Sequence, residues 1–318
     1  MKFLNVIRYK NLIIMAATMA LIKYCLVNPI LEYAGMEPTF LGLDFAFLAI
    51  AVLLIAAGGY VINDYFDAKT DRINRPDEQI VGNSVTRGTA TTWHIALSIA
   101  GCMMGMMVSY RIGFWQLGLL YPFAVGLLWF YSSAYKGMFL IGNLVVSLLV
   151  GLVPLIPVLY EVRGLIAGIE PGSDESSVTS VLLYDGIAFG AFAFVANLIR
   201  EIVKDMEDVE GDTAQGCHTM PIVMGFGPCK AVIMGLIICM AAMLAIVVSE
   251  YLCEPATIIY MSVAVGLPLI YLAYRVMGIS SKKDCHICSL VSKIIMIAGI
   301  LYTLVMYYNC RLAMAEAL

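Results

Sequence analysis

The chain has 318 residues, of which 61% are hydrophobic and only 13% are charged. Soluble domains carry about 25% charged residues, and a fold in water could not bury this much apolar surface. Composition therefore predicts a protein that crosses a membrane several times. The net charge of −4 argues against a nucleic-acid binder. The net charge does not exclude an anionic substrate, because the local charge at a site decides whether an anion binds there.

A membrane-spanning helix needs about 20 consecutive apolar residues, and nine stretches of the chain meet this requirement. They are continuously apolar and lack the alternation typical of a membrane barrel, so we expect helices. No long linker divides them, which predicts one domain over residues 1–318. The predicted fold is thus an all-α membrane protein, a single bundle of nine transmembrane helices. The predicted spans are residues 11–31, 41–62, 93–110, 114–133, 141–160, 181–203, 222–249, 256–279 and 289–311.

Basic residues are distributed unevenly between the two sides of this bundle. Fifteen of the nineteen lie in the N-terminal tail and in or beside the even-numbered loops. The positive-inside rule places these segments in the cytoplasm and the C-terminus outside, in a multi-pass protein of the inner (cytoplasmic) membrane. Lys23 is an exception because it lies within the first span. A charge at that depth either reaches the interface or lines a functional cavity.

Two acidic clusters begin the second and sixth loops, both on the predicted cytoplasmic side. In the first cluster Asn63, Asp67 and Asp71 are four positions apart, and in the second Asp205, Asp208 and Asp212 are three and four positions apart, so each set would share one face of a continuing helix. The first cluster contains Asn63, Asp64, Asp67 and Asp71, and the second contains Asp205, Asp208 and Asp212.

This placement is unfavourable without a bound cation. A carboxylate at the C-terminal end of a helix costs about 0.3–1 kcal/mol, and a like-charged i,i+4 pair costs about 0.2–0.5 kcal/mol more. A divalent cation would offset both costs, and oxygen ligands without His or Cys are typical of Mg²⁺. Two such clusters could hold a diphosphate between them through bridging metals. We therefore expect a Mg²⁺-dependent active site at the cytoplasmic face; the alternative is two solvated acidic loops. The expected metal ligands are Asn63, Asp67, Asp71, Asp205, Asp208 and Asp212.

Basic residues lie beside both clusters. Arg72 follows the first cluster, Arg200 and Lys204 are interleaved with the second, and Lys136 ends the fourth span. Fixed cations at these positions could bind the oxygens of a diphosphate. The alternative for each is an anchor at the cytoplasmic surface.

These motifs resemble those of the UbiA superfamily of intramembrane prenyltransferases, which have nine transmembrane helices and two motifs of the forms N-D-x-x-D-x-x-x-D and D-x-x-D-x-x-x-D. Within it the chain is most similar to the geranylgeranylglyceryl phosphate prenyltransferase group. It departs from the pattern at residues 77–83, where it reads Asp-Glu-Gln-Ile-Val-Gly-Asn instead of Asx-Arg-Pro-Ile-Pro-Ser-Gly. Further matching residues are Asn74-Arg75-Pro76, Tyr131-Ser132, Lys136, Gly142-Asn143, Asn197, Arg200-Glu201, Gly216, Thr219, Pro221 and Gly225.

The resemblance implies a reaction and its participants. A polyprenyl diphosphate would bind through Mg²⁺ held by both motifs, whose seven residues would be the catalytic ones. The prenyl tail would lie in an apolar tunnel, and a lipophilic acceptor would attack the allylic carbon as diphosphate leaves. The implied acceptor is a phosphoglycerol ether, with a quinone precursor such as a naphthoate or hydroxybenzoate as the alternative. Membrane lipid surrounds the enzyme, and no nucleic acid or obligate protein partner is expected.

Two functions of other classes remain as alternatives. A cation-coupled transporter would use the acids as an ion site, but such sites usually lie near the bilayer midplane. A non-catalytic scaffold would not need intact acid motifs. Cys285-His286-Ile287-Cys288 resembles half a zinc site without a second half nearby, and His218 is expected to be a solvent-exposed loop residue. Gly101 and Gly105 have the spacing of a close helix contact.

Overall fold

The computed structural model of the protein describes residues 2–40, 42–68, 70, 72, 79–166, 174–250 and 254–316. In these ranges the chain forms long helices joined by short turns, with no β-strand. Short helical segments at Lys2–Val6, Trp115–Leu119, Tyr135–Gly137 and Met220–Met224 connect them. The long helices are α1 (Tyr9–Tyr33), α2 (Gly42–Asp67), α3 (Arg87–Arg111), α4 (Leu120–Ser133), α5 (Ile141–Ile166), α6 (Asp174–Ala214), α7 (Phe226–Glu250), α8 (Pro255–Met277) and α9 (Lys282–Glu316).

Eight of these helices are long and apolar enough to cross a membrane, within the part of the chain that is described. The protein is therefore an integral, multi-pass membrane protein. The predicted span 114–133 corresponds to α4, which has only 14 residues, and to the 3₁₀ segment Trp115–Leu119 before it. Together they would extend over about 31 Å, close to the thickness of the bilayer core. The count of nine spans stays a prediction.

Two of the long helices contain a π-helical turn, at Ile22–Val27 in α1 and at Met261–Gly266 in α8. Each turn is followed within two residues by a proline, Pro29 or Pro268. A proline lacks the N–H of the helical ladder and its ring crowds the carbonyl one turn before it. The extra residue of a π-turn accommodates this conflict without breaking the helix.

The contact predicted for Gly101 and Gly105 is confirmed, because both glycines are buried where α3 meets its neighbours. A Cβ atom on Gly101 would lie 2.7 Å from the Ile55 side chain of α2. On Gly105 it would lie 2.4 Å from the ring of Tyr121 in α4. Only the absence of a side chain allows these helices to approach so closely.

The order of neighbours brings the ends of the acid-bearing helices to the same end of the bundle. Helix α1 packs on α2, α5 and α9, while α6 packs along both α5 and α9. The C-terminal end of α2 and the C-terminal third of α6, which carry the two clusters, lie on the same side of the molecule as the turn Tyr135–Gly137. We call this side the acid end and the other side the opposite end.

Lys23 pairs with another buried charge instead of lining the acid clusters. Its ammonium forms an ion pair with Glu161 of α5, and the two side chains are 2% and 0% exposed. The same carboxylate accepts hydrogen bonds from the backbone N–H groups of Thr39 and Phe40, at 2.6 Å and 3.3 Å. Glu161 therefore joins α1, α5 and the connection before α2 with its charge and hydrogen bonds satisfied.

Candidate functional site

The first acidic cluster lies on the last turn of α2. Asn63 Nδ2 donates a hydrogen bond to Asp67 Oδ2 at 2.6 Å, which confirms that residues four positions apart share a face here. Both side chains are buried. Asp64, beside them, forms an ion pair with Arg8 at 2.9 Å. Asp71 lies outside the described residues.

Lys136 reaches the first cluster from the turn Tyr135–Gly137 between α4 and α5. Its ammonium forms an ion pair with Asp67. Burial alone would lower the pKa of Lys136, but the Asp67 carboxylate outweighs this effect and holds the pKa above its ordinary value. Arg8 behaves in the same way, because Asp64 offsets its burial and raises its pKa. Both side chains are therefore fixed cations.

The second cluster lies on α6, which continues as one helix through Ala214. Asp205, Asp208 and Asp212 therefore have the regular spacing that the sequence predicts. Asp205 Oδ2 accepts a hydrogen bond from Asn143 Nδ2 of α5 at 2.8 Å. Asp212 is buried and Asp208 is half-buried. The acids thus face protein at the acid end and are not spread through loops in solvent.

The two clusters are close enough to interact electrostatically. The Asp212 carboxylate is influenced by both Asp67 and Lys136, which belong to the other half of the site. The loop after α6 is also tied to the Lys136 turn, since the backbone N–H of His218 donates to Gly137 O at 2.7 Å. The His218 side chain is exposed, as expected. Asp67 of the first cluster, Asp212 of the second and Lys136 therefore lie within electrostatic range of one another.

The four basic residues predicted to bind phosphate differ in their partners and in their exposure. Arg200 Nη1 and Lys204 Nζ both pair with Glu201, at 2.5 Å and 3.8 Å. Arg72 is exposed beyond the end of α2. Among the described residues, the ion pair that joins one of these four cations to a cluster carboxylate is that of Lys136 with Asp67.

The site also contains three residues that were not predicted from the sequence to belong to it. Arg8 holds Asp64, Asn143 holds Asp205, and Glu201 organises its two basic neighbours on α6. Asn143 and Glu201 were visible only as matches to the family pattern. Arg8 was visible only as a basic residue of the tail, and nothing in the sequence connects it to Asp64.

Cys285 and Cys288 do not belong to either acid cluster. Both thiols are buried in the apolar core formed mainly by α6, α7, α8 and α9. The exposed His286 between them contacts Glu207 at 3.3 Å. Both cysteines are residues of this core.

The donor groups present fit a hard divalent cation. Asn63 Oδ1 is buried directly beside the Asp67 carboxylate and has no hydrogen-bond partner among the described residues. An unpaired amide oxygen next to a carboxylate is a ligand type that Mg²⁺ accepts. Among the described residues, no three Asp, Glu, His or Cys side chains form a ready-made cage. Mg²⁺ usually binds one or two carboxylates and takes its other ligands from water and phosphate.

The chain belongs to the UbiA prenyltransferase family, whose profile matches residues 16–307. It is 36% identical over 175 residues to a digeranylgeranylglyceryl phosphate synthase of Methanothrix thermoacetophila, a match that covers 55% of this chain and 57% of that protein. It is 32% identical over 252 residues to a digeranylgeranylglyceryl phosphate synthase of Methanopyrus kandleri, covering 79% of this chain and 83% of that protein. The family predicted from the two motifs is confirmed.

Solved structures confirm the fold. A UbiA homologue from Aeropyrum pernix superposes with a TM-score of 0.63 at 17% identity, over 90% of this chain and 97% of that one. A UbiA homologue from Archaeoglobus fulgidus, bound to GPP and Mg²⁺, superposes with a TM-score of 0.54 at 16% identity, over 96% and 99%. At these identities the likeness establishes the all-helical UbiA fold.

Proposed function

We propose that this protein is a Mg²⁺-dependent prenyltransferase that moves a prenyl group from a polyprenyl diphosphate to a lipophilic acceptor. The observation that carries the proposal is the convergence of the two acid clusters, with Asp67 held by Asn63 and Lys136 and Asp205 held by Asn143. This arrangement at one end of the bundle disfavours a transporter, whose ion site would lie near the midplane. Mg²⁺ would supply positive charge for the oxygens of the leaving diphosphate.

Each residue of the site has a defined role in this proposal. The six oxygen ligands named from the sequence, including Asp71, would hold Mg²⁺. Asn143 and Asn63 fix the orientation of the neighbouring carboxylates. Lys136 is a preorganised cation for the diphosphate as the allylic C1–O bond breaks and its electron pair leaves with the oxygen. The ion pairs of Arg200 and Lys204 with Glu201 would open when a diphosphate arrives, because phosphate oxygens are stronger partners for a basic side chain.

For the acceptor, we propose geranylgeranylglyceryl phosphate, with a geranylgeranyl diphosphate donor. The names of the relatives support this choice over an aromatic quinone precursor. In the proposed reaction the acceptor hydroxyl oxygen forms the new C–O bond and loses its proton. The departure from the family pattern lies in a loop near the site, where Gln79 Nε2 donates to Ala68 O at 2.8 Å and ties the loop to the end of α2.

The orientation that we propose puts the acid end in the cytoplasm of the cell, where it would meet a diphosphate that cannot cross the bilayer unaided. Residues 1–318 would act as one catalytic domain. Single cysteines can test this orientation in a background without native cysteines. Asn83→Cys, exposed at the acid end, should react with a membrane-impermeant thiol reagent only in inside-out vesicles. Glu37→Cys, exposed at the opposite end, should react only in right-side-out vesicles; the reverse pattern would refute the orientation.

The function itself is tested with purified protein, labelled geranyl, farnesyl and geranylgeranyl diphosphates and a panel of acceptors. The panel contains geranylgeranylglyceryl phosphate, a hydroxybenzoate and a dihydroxynaphthoate. We expect the largest kcat/KM for geranylgeranyl diphosphate with the phosphoglycerol ether, and none of the products when EDTA removes Mg²⁺. If only an aromatic acceptor is prenylated, the protein is instead an aromatic prenyltransferase that acts on a quinone precursor. Lack of transfer to any acceptor, with Mg²⁺ present, would refute the proposal.

A further inference from the structure

A separate cavity of about 240 Å³ lies between α6, α7, α8 and α9. Apolar side chains form most of its wall, but two carboxylates, Asp185 and Glu250, also line it. No Lys, Arg or His is found among the described residues of this wall. The apolar wall includes Phe189, Phe192, Met243 and Val265.

The cavity is remote from the acid clusters. Asp185 and Asp205 are on the same helix, α6, twenty positions apart. At a rise of about 1.5 Å per residue they are separated by about 30 Å along the helix axis. The charged head of a substrate bound at the acid end therefore cannot contact Asp185.

Asp185 is an unusual residue for such a wall. Its side chain is only 6% exposed, and its Oδ2 atom has no hydrogen-bond partner among the described residues. Buried polar atoms in native proteins are almost always paired with protein or water. An unpaired carboxylate oxygen in an apolar cavity therefore indicates a missing hydrogen-bond donor.

The second carboxylate of the cavity, Glu250, makes a negatively charged ligand unfavourable. Glu250 accepts a hydrogen bond from the Tyr184 hydroxyl at 3.1 Å, at the exposed edge of the cavity. Asp185 lies within electrostatic range of this carboxylate. An anionic head group would be repelled by both acids, whereas a protonated amine would be attracted by both.

The edge of the cavity faces the lipid. Tyr184, Ile187 and Ile246 line the cavity and are also exposed on the outer surface of the bundle. A molecule dissolved in the membrane could therefore enter sideways. An apolar cavity of about 150 Å³ is enough to bind benzene, so this larger one can admit an alkyl chain.

We propose that this cavity binds a membrane amphiphile whose uncharged or cationic head group donates a hydrogen bond to Asp185. A long-chain amine fits best, and a long-chain alcohol satisfies the same donor requirement. The chain would lie against Phe189, Phe192, Met243 and Val265. The occupant differs from both substrates of the proposed reaction, since each of those carries phosphate. This inference does not depend on the reaction at the acid end.

The test is equilibrium binding of radiolabelled ten-carbon ligands to the full-length protein in phosphatidylcholine nanodiscs. Decylamine and decanol should bind, and decanoate and decyl phosphate should bind at least tenfold more weakly. Two variants check the location of the binding site. Asp185→Asn should abolish the preference for the amine over the alcohol. Ala188→Phe, which fills the cavity, should lower the affinity for both ligands at least tenfold. As a control, Asp44→Asn changes an acid of α2 that pairs with Arg111. It should change neither the preference for the amine nor the affinity for the two ligands.

Two results would overturn the proposal. The first is equal binding of decylamine and decanoate to the unmodified protein, which needs no variant to fold. The second is competition: if geranylgeranyl diphosphate displaces decylamine and geranyl diphosphate does not, the cavity holds the end of a long prenyl chain instead. Thermal unfolding of each variant in the same nanodiscs separates loss of binding from loss of fold.

Discussion

The ammonium of Lys136 and the carboxylate of Asp67, which are 69 positions apart in the chain, form an ion pair between the two acid clusters. Lys136 comes from the turn between α4 and α5, while Asp67 ends α2. The same lysine also influences Asp212 at the end of α6. One cation therefore links three segments of the site.

Replacing Lys136 by Met should lower kcat/KM by about 10²–10³-fold, the usual loss when one preorganised stabilising group is removed. Lys136→Arg should recover part of the activity because it keeps the charge. Steady-state kinetics with saturating Mg²⁺ measure both values. Lys230→Met is a matched control, since Lys230 donates to the backbone oxygens of Met277 and Ile279. Its kcat/KM should stay within about twofold, and an equal loss in both lysine variants would mean that Lys136 has no specific role.

Replacing Asn143 by Ala removes the side-chain donor that holds Asp205 at 2.8 Å. Groups that orient a metal ligand typically contribute 10–100-fold to metal affinity. We therefore expect the Mg²⁺ concentration for half-maximal activity to rise by about 10–100-fold, with kcat restored at high Mg²⁺. Ser147→Ala removes another contact between α5 and α6 and should leave the Mg²⁺ requirement unchanged. A loss of activity that excess Mg²⁺ does not restore would contradict this role of Asn143.

Removing either partner of the buried pair of Lys23 and Glu161 should destabilise the protein strongly. Breaking a buried ion pair by removing one partner typically costs about 3–5 kcal/mol, because the other charge is left uncompensated. Lys23→Met and Glu161→Gln should each lower Tm clearly, and the double variant should be less destabilised than the sum of the two. Arg111→Met breaks the pair with Asp44, in which the arginine is 53% exposed, and should change stability by no more than about 1 kcal/mol. Additive losses in the double variant would show that the charges are not coupled.

Gly105 and Gly126 provide a matched test of helix packing. A Cβ atom on Gly105 would lie 2.4 Å from the Tyr121 ring, whereas none of the surrounding atoms lies within 4 Å of one on Gly126. Gly105→Ala should destabilise the protein by about 1–3 kcal/mol through overpacking. Gly126→Ala should be neutral or slightly stabilising, because alanine favours the helix. Thermal unfolding in detergent checks both, and equal Tm values would contradict the close contact between α3 and α4.

The sequence was most informative where the physical signal is local. Continuous apolar runs predict the long helices, and i,i+4 spacing predicts that Asn63 and Asp67 share a face. The short helix α4 was harder to interpret, because composition alone cannot distinguish one span from a 3₁₀ segment followed by a helix. The π-turns of α1 and α8 also follow from local chemistry, through the prolines that come after them.

Pairs of residues that are distant in sequence could not be predicted. Lys23 was recognised as unusual, but its partner Glu161 is 138 positions away, in helix α5. Arg8 pairs with Asp64 over 56 positions. Such pairs depend on which helices become neighbours. A single sequence contains no signal for that arrangement.

The proposed function requires both acid clusters to act on one diphosphate through Mg²⁺. The most direct measurement is the release of inorganic diphosphate from geranylgeranyl diphosphate in a single turnover, with geranylgeranylglyceryl phosphate as acceptor. Asp67→Asn and Asp205→Asn should each slow release by several orders of magnitude, removal of Mg²⁺ should abolish it, and Asp44→Asn should leave it unchanged. The double variant Asp67→Asn/Asp205→Asn should be little slower than either single variant, because residues that act as a unit are not additive. Release at the unmodified rate in either single variant, or in EDTA, would contradict the account.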